Sequence, residues 1–172
     1  MSSPLQHAAF AAAICVINAP HVHLLTEQQQ IDNQPHEQLR SKMLSWLRGE
    51  LKSEANFRRF FDEFAHWREQ LIDDDSLAYA CFELTNAALY SACESLLDQH
   101  DGDDRTLLLG AIDDIHRQIE SLGGDGDGLR HYWQAIQDEW HLLCAQIKQR
   151  PLPKTYFQWL GEHDVSLFGL SE

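Results

Sequence analysis

The segment 53–71 has a large apolar residue at nearly every helical return, with charged residues in between. Its apolar positions are Phe57, Phe60, Phe61, Phe64, Trp67 and Leu71. Residues three and four positions apart lie on one face of a helix. The pattern therefore predicts an amphipathic helix with Ser53 as its N-cap and an aromatic face that is buried.

The same period recurs along most of the chain. It predicts helices over 4–17, 20–30, 36–52, 53–71, 76–99, 108–122 and 129–149, with 155–163 as a candidate for a short last one. No internal repeat and no strand alternation longer than a few residues interrupts this order. The sequence thus predicts an all-α fold, a single-domain bundle of about seven helices over residues 1–172.

Residues with strong conformational preferences mark the expected ends of these helices. The expected caps and breaks are Ser3 with Pro4, Pro20, the aspartates 73–75, the polar turn 100–104, Gly123 with Gly124, and Pro151 with Pro153. The helix 4–17 is apolar nearly all round, so we expect it at the centre of the bundle. The tail 165–170 is apolar enough to dock on the bundle.

The chain is strongly acidic, with a formal net charge of -14 over 172 residues. Negative potential of this size repels phosphate backbones and anionic headgroups, so we expect no nucleic acid and no membrane as partners. The apolar run 8–17 is too short to span a bilayer, and residues 1–6 lack the Lys or Arg of a secretory signal. Four cysteines occur singly, as expected for reduced, buried thiols in a bacterial or other cytoplasmic protein.

In three places an acidic residue precedes a histidine by three positions. Such pairs are found in helix bundles that bind two metal ions through inward-facing carboxylates and histidines. The three pairs are Glu63 with His66, Asp113 with His116, and Asp138 with His141. A chain this rich in acidic residues and histidine contains about one or two such pairs by chance. Helical angles turn His66 and His141 away from the apolar faces of their helices and leave His116 at the edge of its stripe. We therefore expect no metal and no cofactor.

The run 123–128, GGDGDG, begins like a calcium loop with Asp125 and Asp127 as the first two ligands. Its spacing fails further on, because Leu129, Arg130 and Ile136 occupy the positions of the third ligand, the required glycine and the bidentate glutamate. The run is expected to be a flexible turn between helices.

Three residues are candidate binding residues. His21 and His23 could chelate a metal in an extended segment, where alternate residues share a face. The break at Pro20 instead favours a helix in which they diverge and bond to neighbouring helices or act as caps. Asn86 shares a helix face with apolar residues and is expected to point inward as a buried amide. No catalytic sequence motif is present, so we assign no catalytic residue.

Five tryptophans are more than one small core readily absorbs. Surplus aromatic side chains often anchor interfaces, so Trp46, Trp67 and Trp159 are candidate interface residues. The alternative is that all five tryptophans belong to the core.

Several short sequence segments follow one another along the predicted helices in the same order as in a known family. They are 10–15 followed by Pro20, 39–51, 56–71, 79–97 with Asn86 inside it, and 137–140. With them the chain resembles the YjaG-like bacterial proteins, a family of unknown function, over most of its length. The resemblance implies a small all-α cytoplasmic protein with no established activity. Relatives can carry an acidic residue where Asn86 stands, so a shared acidic site is not expected here.

We expect a non-catalytic protein that acts through protein–protein contacts, either as a homodimer or as an adaptor for another protein. One alternative is an enzyme or small-ligand binder with a pocket between helices, formed by His21, His23 or Asn86 together with carboxylates from another helix. Another alternative is an acidic mimic of nucleic acid that binds a basic protein.

Overall fold

The chain forms eight helices within the residues that the computed structural model describes, 3–98 and 104–171. They are α1 (Pro4–Ile17), α2 (Ala19–Gln29), α3 (Gln34–Leu47), α4 (Glu54–Glu69), α5 (Leu77–Asp98), α6 (Arg105–Ser121), α7 (Gly126–Cys144) and α8 (Lys154–Gly161). Within this part of the chain no strand occurs. The predicted all-α bundle is confirmed, and the short candidate helix near the C-terminus is its eighth member.

Helix α1 lies at the centre of the bundle, as its all-round apolar sequence predicts. Its main neighbour is α5, and its alanines are almost completely buried. Small side chains let two helix backbones approach closely, which explains why a run of alanines can occupy the middle of a core. The predicted cap is also present: Ser3 Oγ accepts a hydrogen bond from the Gln6 N–H at 3.1 Å, and Gln6 Oε1 accepts one from the Ser3 N–H at 3.1 Å.

The aromatic helix α4 buries Phe57, Phe61 and Phe64 against the bundle. Its predicted N-cap is confirmed, because Ser53 Oγ accepts a hydrogen bond from the Asn56 N–H at 3.1 Å. The main core contains buried residues from every helix except α2. Helix α2 instead contributes Val22 and Leu25 to a smaller apolar cluster with two aromatic residues of α5.

Two predicted helix ends are wrong because the chain turns at other residues. Helix α3 ends at Leu47 rather than at 52, since Gly49 takes a positive φ of 77° and redirects the backbone. Helix α7 ends at Cys144, well before the prolines that were expected to stop it. It also begins earlier than predicted, because Asp125 Oδ1 accepts a hydrogen bond from the Gly128 N–H at 2.9 Å and caps the helix.

Only the first half of the run GGDGDG therefore connects two helices, because residues 126–128 form the start of α7. Gly123 has a φ of 91° and supplies the left-handed residue that was expected after α6. The cap of α5 is Ser76, whose Oγ accepts a hydrogen bond from the Tyr79 N–H at 3.0 Å. Asp74, one of the aspartates expected to cap the helix, instead holds the capping serine in place. Its Oδ1 accepts hydrogen bonds from the N–H and the hydroxyl of Ser76.

The predicted end of the fifth helix at 99, and all of the turn 100–104 except Asp104, lie outside the described residues. The predicted docking of the tail is confirmed, since Ser166 and Leu167 are fully buried.

No single described helix is long and apolar enough to cross a bilayer, and α1 and α2 meet that requirement only as a pair bent by 49°.

Candidate functional site

The four cysteines are free thiols. Cys15, Cys81 and Cys93 are buried, whereas Cys144 is only partly covered. Burial raises the pKa of Cys15 and of Cys81 to about 12, which disfavours the thiolate that a nucleophile needs. The prediction of buried thiols is confirmed for three of the four positions.

His21 lies where the C-terminal tail docks on the bundle. Ser166 Oγ accepts hydrogen bonds from the N–H groups of Phe168 at 3.1 Å and Leu170 at 3.0 Å, so its own hydroxyl donates to His21 Nε2 at 2.7 Å. A serine donating to a histidine resembles a catalytic pair. Here the serine is fully buried and both of its lone pairs are used, so the pair fastens the tail and offers no nucleophile.

His23 faces away from His21, as expected for a helix. Its Nε2 lies 2.8 Å from Glu37 Oε1 on α3, and Glu37 also pairs with Arg40 through its other oxygen. The side chain of His23 is 40% exposed. It borders a cavity between the α1–α2 junction, α3 and the segment after α8.

Asn86 points inward, as predicted, and is completely buried. Its Oδ1 accepts a hydrogen bond from His36 Nδ1–H at 2.8 Å, and His36 Nε2 lies 4.0 Å from the Cys15 sulfur. Burial lowers the pKa of His36 to about 3, so the imidazole is neutral at ordinary pH. Asn86 thus joins α5 to α3 and does not reach the cavity that His23 borders.

A second serine and histidine pair connects α1 to α5. Ser91 Oγ donates to Asp104 Oδ2 at 3.3 Å and accepts a hydrogen bond from His7 Nε2–H at 2.7 Å. In a catalytic triad the histidine accepts the serine proton and the carboxylate orients the histidine. Here the carboxylate takes the serine proton, so the three residues are not arranged for nucleophilic attack.

The acid-x-x-His pairs do not assemble into a metal site. Within residues 3–98 and 104–171, no group of three or more His, Cys, Asp or Glu side chains is placed to hold a metal ion. His66 and His141 are exposed, as their helical angles predict. His116 lies deeper than its edge position suggested, because its Nε2–H donates to the Leu167 carbonyl of the docked tail at 2.9 Å.

The candidate interface tryptophans are covered largely by the chain itself. Trp159 is only 7% exposed and donates its Nε1–H to Glu139 at 3.1 Å. The Arg150 guanidinium stacks 3.6 Å above the Trp46 ring. Trp67 is partly buried and donates its Nε1–H to the Asp32 carbonyl at 2.9 Å. Trp159 is buried and the other two are partly buried, whereas the large exposed apolar residues of the described chain are aliphatic.

A groove of about 490 Å³ lies between α5 and α6. Ala80 and Ala87 of α5 and Ala111 of α6 line it, and these side chains are too small to fill the space between the two helices. Three larger residues complete an apolar floor: Leu84, Leu108 and Ile115. Leu107 lines the groove as well and is 72% exposed.

The rim of this groove is acidic. Its carboxylates are Asp73, Asp75, Glu83 and Asp114. Two arginines offset part of the charge: Arg68 Nη2 lies 2.5 Å from Glu83 Oε1, and Arg117 Nη1 lies 3.8 Å from Asp114 Oδ1. The rim therefore stays negative on a chain whose net charge is already -14.

No family model, curated protein or solved structure matches this chain. The resemblance to the YjaG-like proteins stays a prediction. Any role of the groove rests on its own shape and charge.

Sequence reasoning missed the groove because its residues look like ordinary core positions. One signal was present in the run of leucines 107–109, since three consecutive helical residues cannot all face the same side. The structure exposes Leu107 and buries Leu108. The aspartates 73–75 predict a helix boundary, and two of them also form part of the rim.

Proposed function

We propose that this protein is non-catalytic and binds another protein through the groove between α5 and α6. The observation that carries the proposal is the combination of an apolar floor, which three alanines leave unfilled, with the exposed Leu107 beside it. Apolar surface that the chain does not cover itself is a frequent mark of an interaction site.

The charge of the rim favours a partner that is different from the chain itself. A second copy would bring a net charge of -14 to an acidic rim, and the two would repel each other. A segment with apolar side chains flanked by Lys or Arg would fill the floor and neutralise the rim. The adaptor form of the proposal is therefore favoured over the homodimer.

Site-specific crosslinking tests this proposal with a matched pair of exposed leucines. A photoreactive amino acid replaces Leu107 at the groove in one variant and Leu142 on α7, which is 82% exposed, in the other. Both variants are expressed in cells that make the protein naturally. We expect a crosslinked product at position 107 and none at 142, with mass spectrometry identifying one other protein in the product.

Equal crosslinking at both positions, or none at 107, would overturn the proposal. A product between two copies at position 107 would favour the homodimer instead. Sedimentation of the purified chain at low and high salt provides the check, because an adaptor is expected to remain a monomer at both.

The nucleic-acid mimic differs from this proposal in how its contact would depend on salt. A mimic binds through charge alone, so its affinity collapses as salt rises. Contact with the apolar floor keeps part of the affinity at high salt. A crosslink at position 107 that still forms when a lysate is irradiated at high ionic strength therefore supports the groove over mimicry.

A further inference from the structure

Two neighbouring segments at one end of the bundle contain a large share of the positive charge. The chain has 13 Lys and Arg residues against 27 Asp and Glu residues. The segments 48–52 and 148–154 contribute five of the 13, which we call the basic patch: Arg48, Lys52, Lys148, Arg150 and Lys154. The only carboxylate of the two segments is that of Glu50.

The fold brings these two segments together. The Leu152 N–H donates to the Leu47 carbonyl at 2.9 Å, and Arg150 Nη1 donates to the Leu51 carbonyl at 3.4 Å. Cations that lie about a hundred residues apart in sequence therefore belong to one surface.

The charge of the basic patch is not neutralised by the chain itself. Within the described residues, no carboxylate forms an ion pair with any of its five cations. Five arginines elsewhere do pair with carboxylates: Arg40, Arg58, Arg68, Arg117 and Arg130. The patch therefore keeps a local positive potential on a chain whose net charge is -14.

Aromatic rings hold two of the arginines in place. The guanidinium carbon of Arg48 lies 4.9 Å from the centre of the Phe157 ring, and that of Arg150 lies 3.6 Å from the centre of the Trp46 ring. Stacking occupies the face of a guanidinium, whereas the N–H groups at its edge still bond to a carboxylate. Since the two rings are different, the arginines are held at separate points. This arrangement suits several charges spread along a chain better than one compact anion.

An open cleft of about 550 Å³ lies within the basic patch. It is lined by three apolar residues, two cations, one carboxylate and one amide: Pro151, Leu152, Phe157, Arg48, Lys154, Glu50 and Gln158. Helix α8 begins at Lys154 and no described side chain caps it, so the positive end of its dipole adds to the charge at the cleft. An apolar side chain with negative charges beside it fits such a lining.

The small extent of the basic patch limits the length of an anionic partner. Charges at a protein surface act over about 8 Å at physiological ionic strength. A nucleic acid or an anionic membrane would extend beyond the patch and meet the acidic remainder of the surface, which repels it. A short acidic segment stays within the patch.

We propose that the basic patch binds a short acidic segment of another protein, in which Asp or Glu residues lie on both sides of an apolar residue. The apolar side chain packs against Phe157 in the cleft, and the carboxylates accept hydrogen bonds from Arg48 and Lys154. The cleft shares no lining residue with the groove between α5 and α6 and has the opposite charge. The chain thus has separate surfaces for a basic partner and an acidic one.

Fluorescence anisotropy with the full chain tests this assignment on a labelled peptide, a leucine with three glutamates on each side. We expect the peptide to bind. Replacing its glutamates by glutamine removes the charge, and replacing its leucine by glycine removes the side chain that enters the cleft. Each change is expected to weaken binding at least fivefold. Absence of binding, or equal binding of either altered peptide, would overturn the proposal.

Other anionic partners are tested with two further probes. A thymidine oligonucleotide with as many charges as the peptide, and vesicles of phosphatidylglycerol, are both expected to bind more weakly than the peptide. Tighter binding of either probe would overturn the proposal in favour of a nucleic acid or a membrane. Self-association of the chain that Arg48→Gln abolishes would overturn it in favour of a second copy.

A matched pair of exposed arginines locates the site. Arg48→Gln and Arg117→Gln remove the same charge, but Arg117 on α6 does not line the cleft. We expect Arg48→Gln, and likewise Lys154→Gln, to weaken peptide binding at least fivefold, whereas Arg117→Gln changes it by less than about twofold. Circular dichroism checks that each variant is folded. Equal effects at positions 48 and 117 would show that the peptide responds only to total charge and would overturn the proposal.

Discussion

The Nδ1–H of His36 donates to Oδ1 of Asn86 across 2.8 Å in a place that solvent does not reach. The bond joins α3 to α5 through two completely buried polar side chains. Because a buried polar group without a partner is costly, each residue makes the other necessary.

Replacing Asn86 by leucine keeps much of the side-chain volume but removes the acceptor for His36. We expect the free energy of unfolding to fall by about 1–3 kcal/mol, the cost of a buried donor left without a partner. Urea denaturation measures the change. The double variant Asn86→Leu with His36→Phe should recover part of the loss, and strictly additive losses would show that the two residues are not coupled.

Stability should decrease as the pH falls below 6.5. Burial lowers the pKa of His36 to about 3 and that of His21 to about 4, both from 6.5. The unfolded chain therefore takes up protons below pH 6.5 while the folded chain keeps both rings neutral. Well below pH 6.5, and as long as its ring stays neutral in the folded chain, each histidine should remove up to about 1.4 kcal/mol of stability per pH unit, and well above pH 6.5 neither has an effect.

Urea denaturation at pH 7.5, 6 and 5 measures this slope. In the His36→Phe variant one titrating group is gone, so the slope between pH 6 and 5 should decrease by about 1.4 kcal/mol per unit. An unchanged slope would mean that His36 is protonated in the folded state.

Ser166 should control the docking of the C-terminal tail. Ser166→Ala removes the acceptor for the N–H groups of Phe168 and Leu170 and the donor to His21. We expect a loss of about 1–3 kcal/mol and faster hydrogen exchange at these two amides. Ser171→Ala, at an exposed position of the same tail, is the control and should change neither quantity.

Two neighbouring alanines of α5 should respond in opposite ways to a larger side chain. Ala87 lines the groove, whereas Ala88 is completely buried in the core. Ala87→Leu should change stability by less than about 0.5 kcal/mol because the groove has room. Ala88→Leu should cost about 1–3 kcal/mol because the core has none. Thermal denaturation distinguishes them, and a similar loss in both would argue that the groove is closed.

Gly110 and Gly123 form a matched pair, because an added Cβ meets nothing within 4 Å at either position. Gly110 lies inside α6, so Gly110→Ala should raise stability by about 0.5–1 kcal/mol. Gly123 has a φ of 91°, and Gly123→Ala should lower stability by more than about 1 kcal/mol. Melting temperatures that shift in the same direction would contradict this account.

Most of the fold follows from local patterns, but several helix ends do not. The aromatic period of α4 and the apolar sequence of α1 predict which residues are buried, because each depends only on spacing along a helix. Helix α7 ends at Cys144, several residues before Pro151, so the prolines do not predict where it ends. His116 shows the same limit, since the tail that covers it is distant in sequence.

The candidate sites depend even more on distant contacts. His21 and His23 can be predicted to diverge from helical angles alone, and they do. That His21 meets Ser166, and that Arg48 and Lys154 line one cleft, follows from the packing of segments more than a hundred residues apart.

The sequence by itself determined the helices, the caps at Ser3 and Ser53, the central place of α1 and the inward direction of Asn86. These follow from periodicity and from side chains that bond to their own backbone, both of which act within a few residues. Tertiary structure alone decided the groove between α5 and α6, the partners of the buried histidines and the cleft between Arg48 and Lys154. A space between helices, or a surface shared by distant segments, exists only after the helices pack.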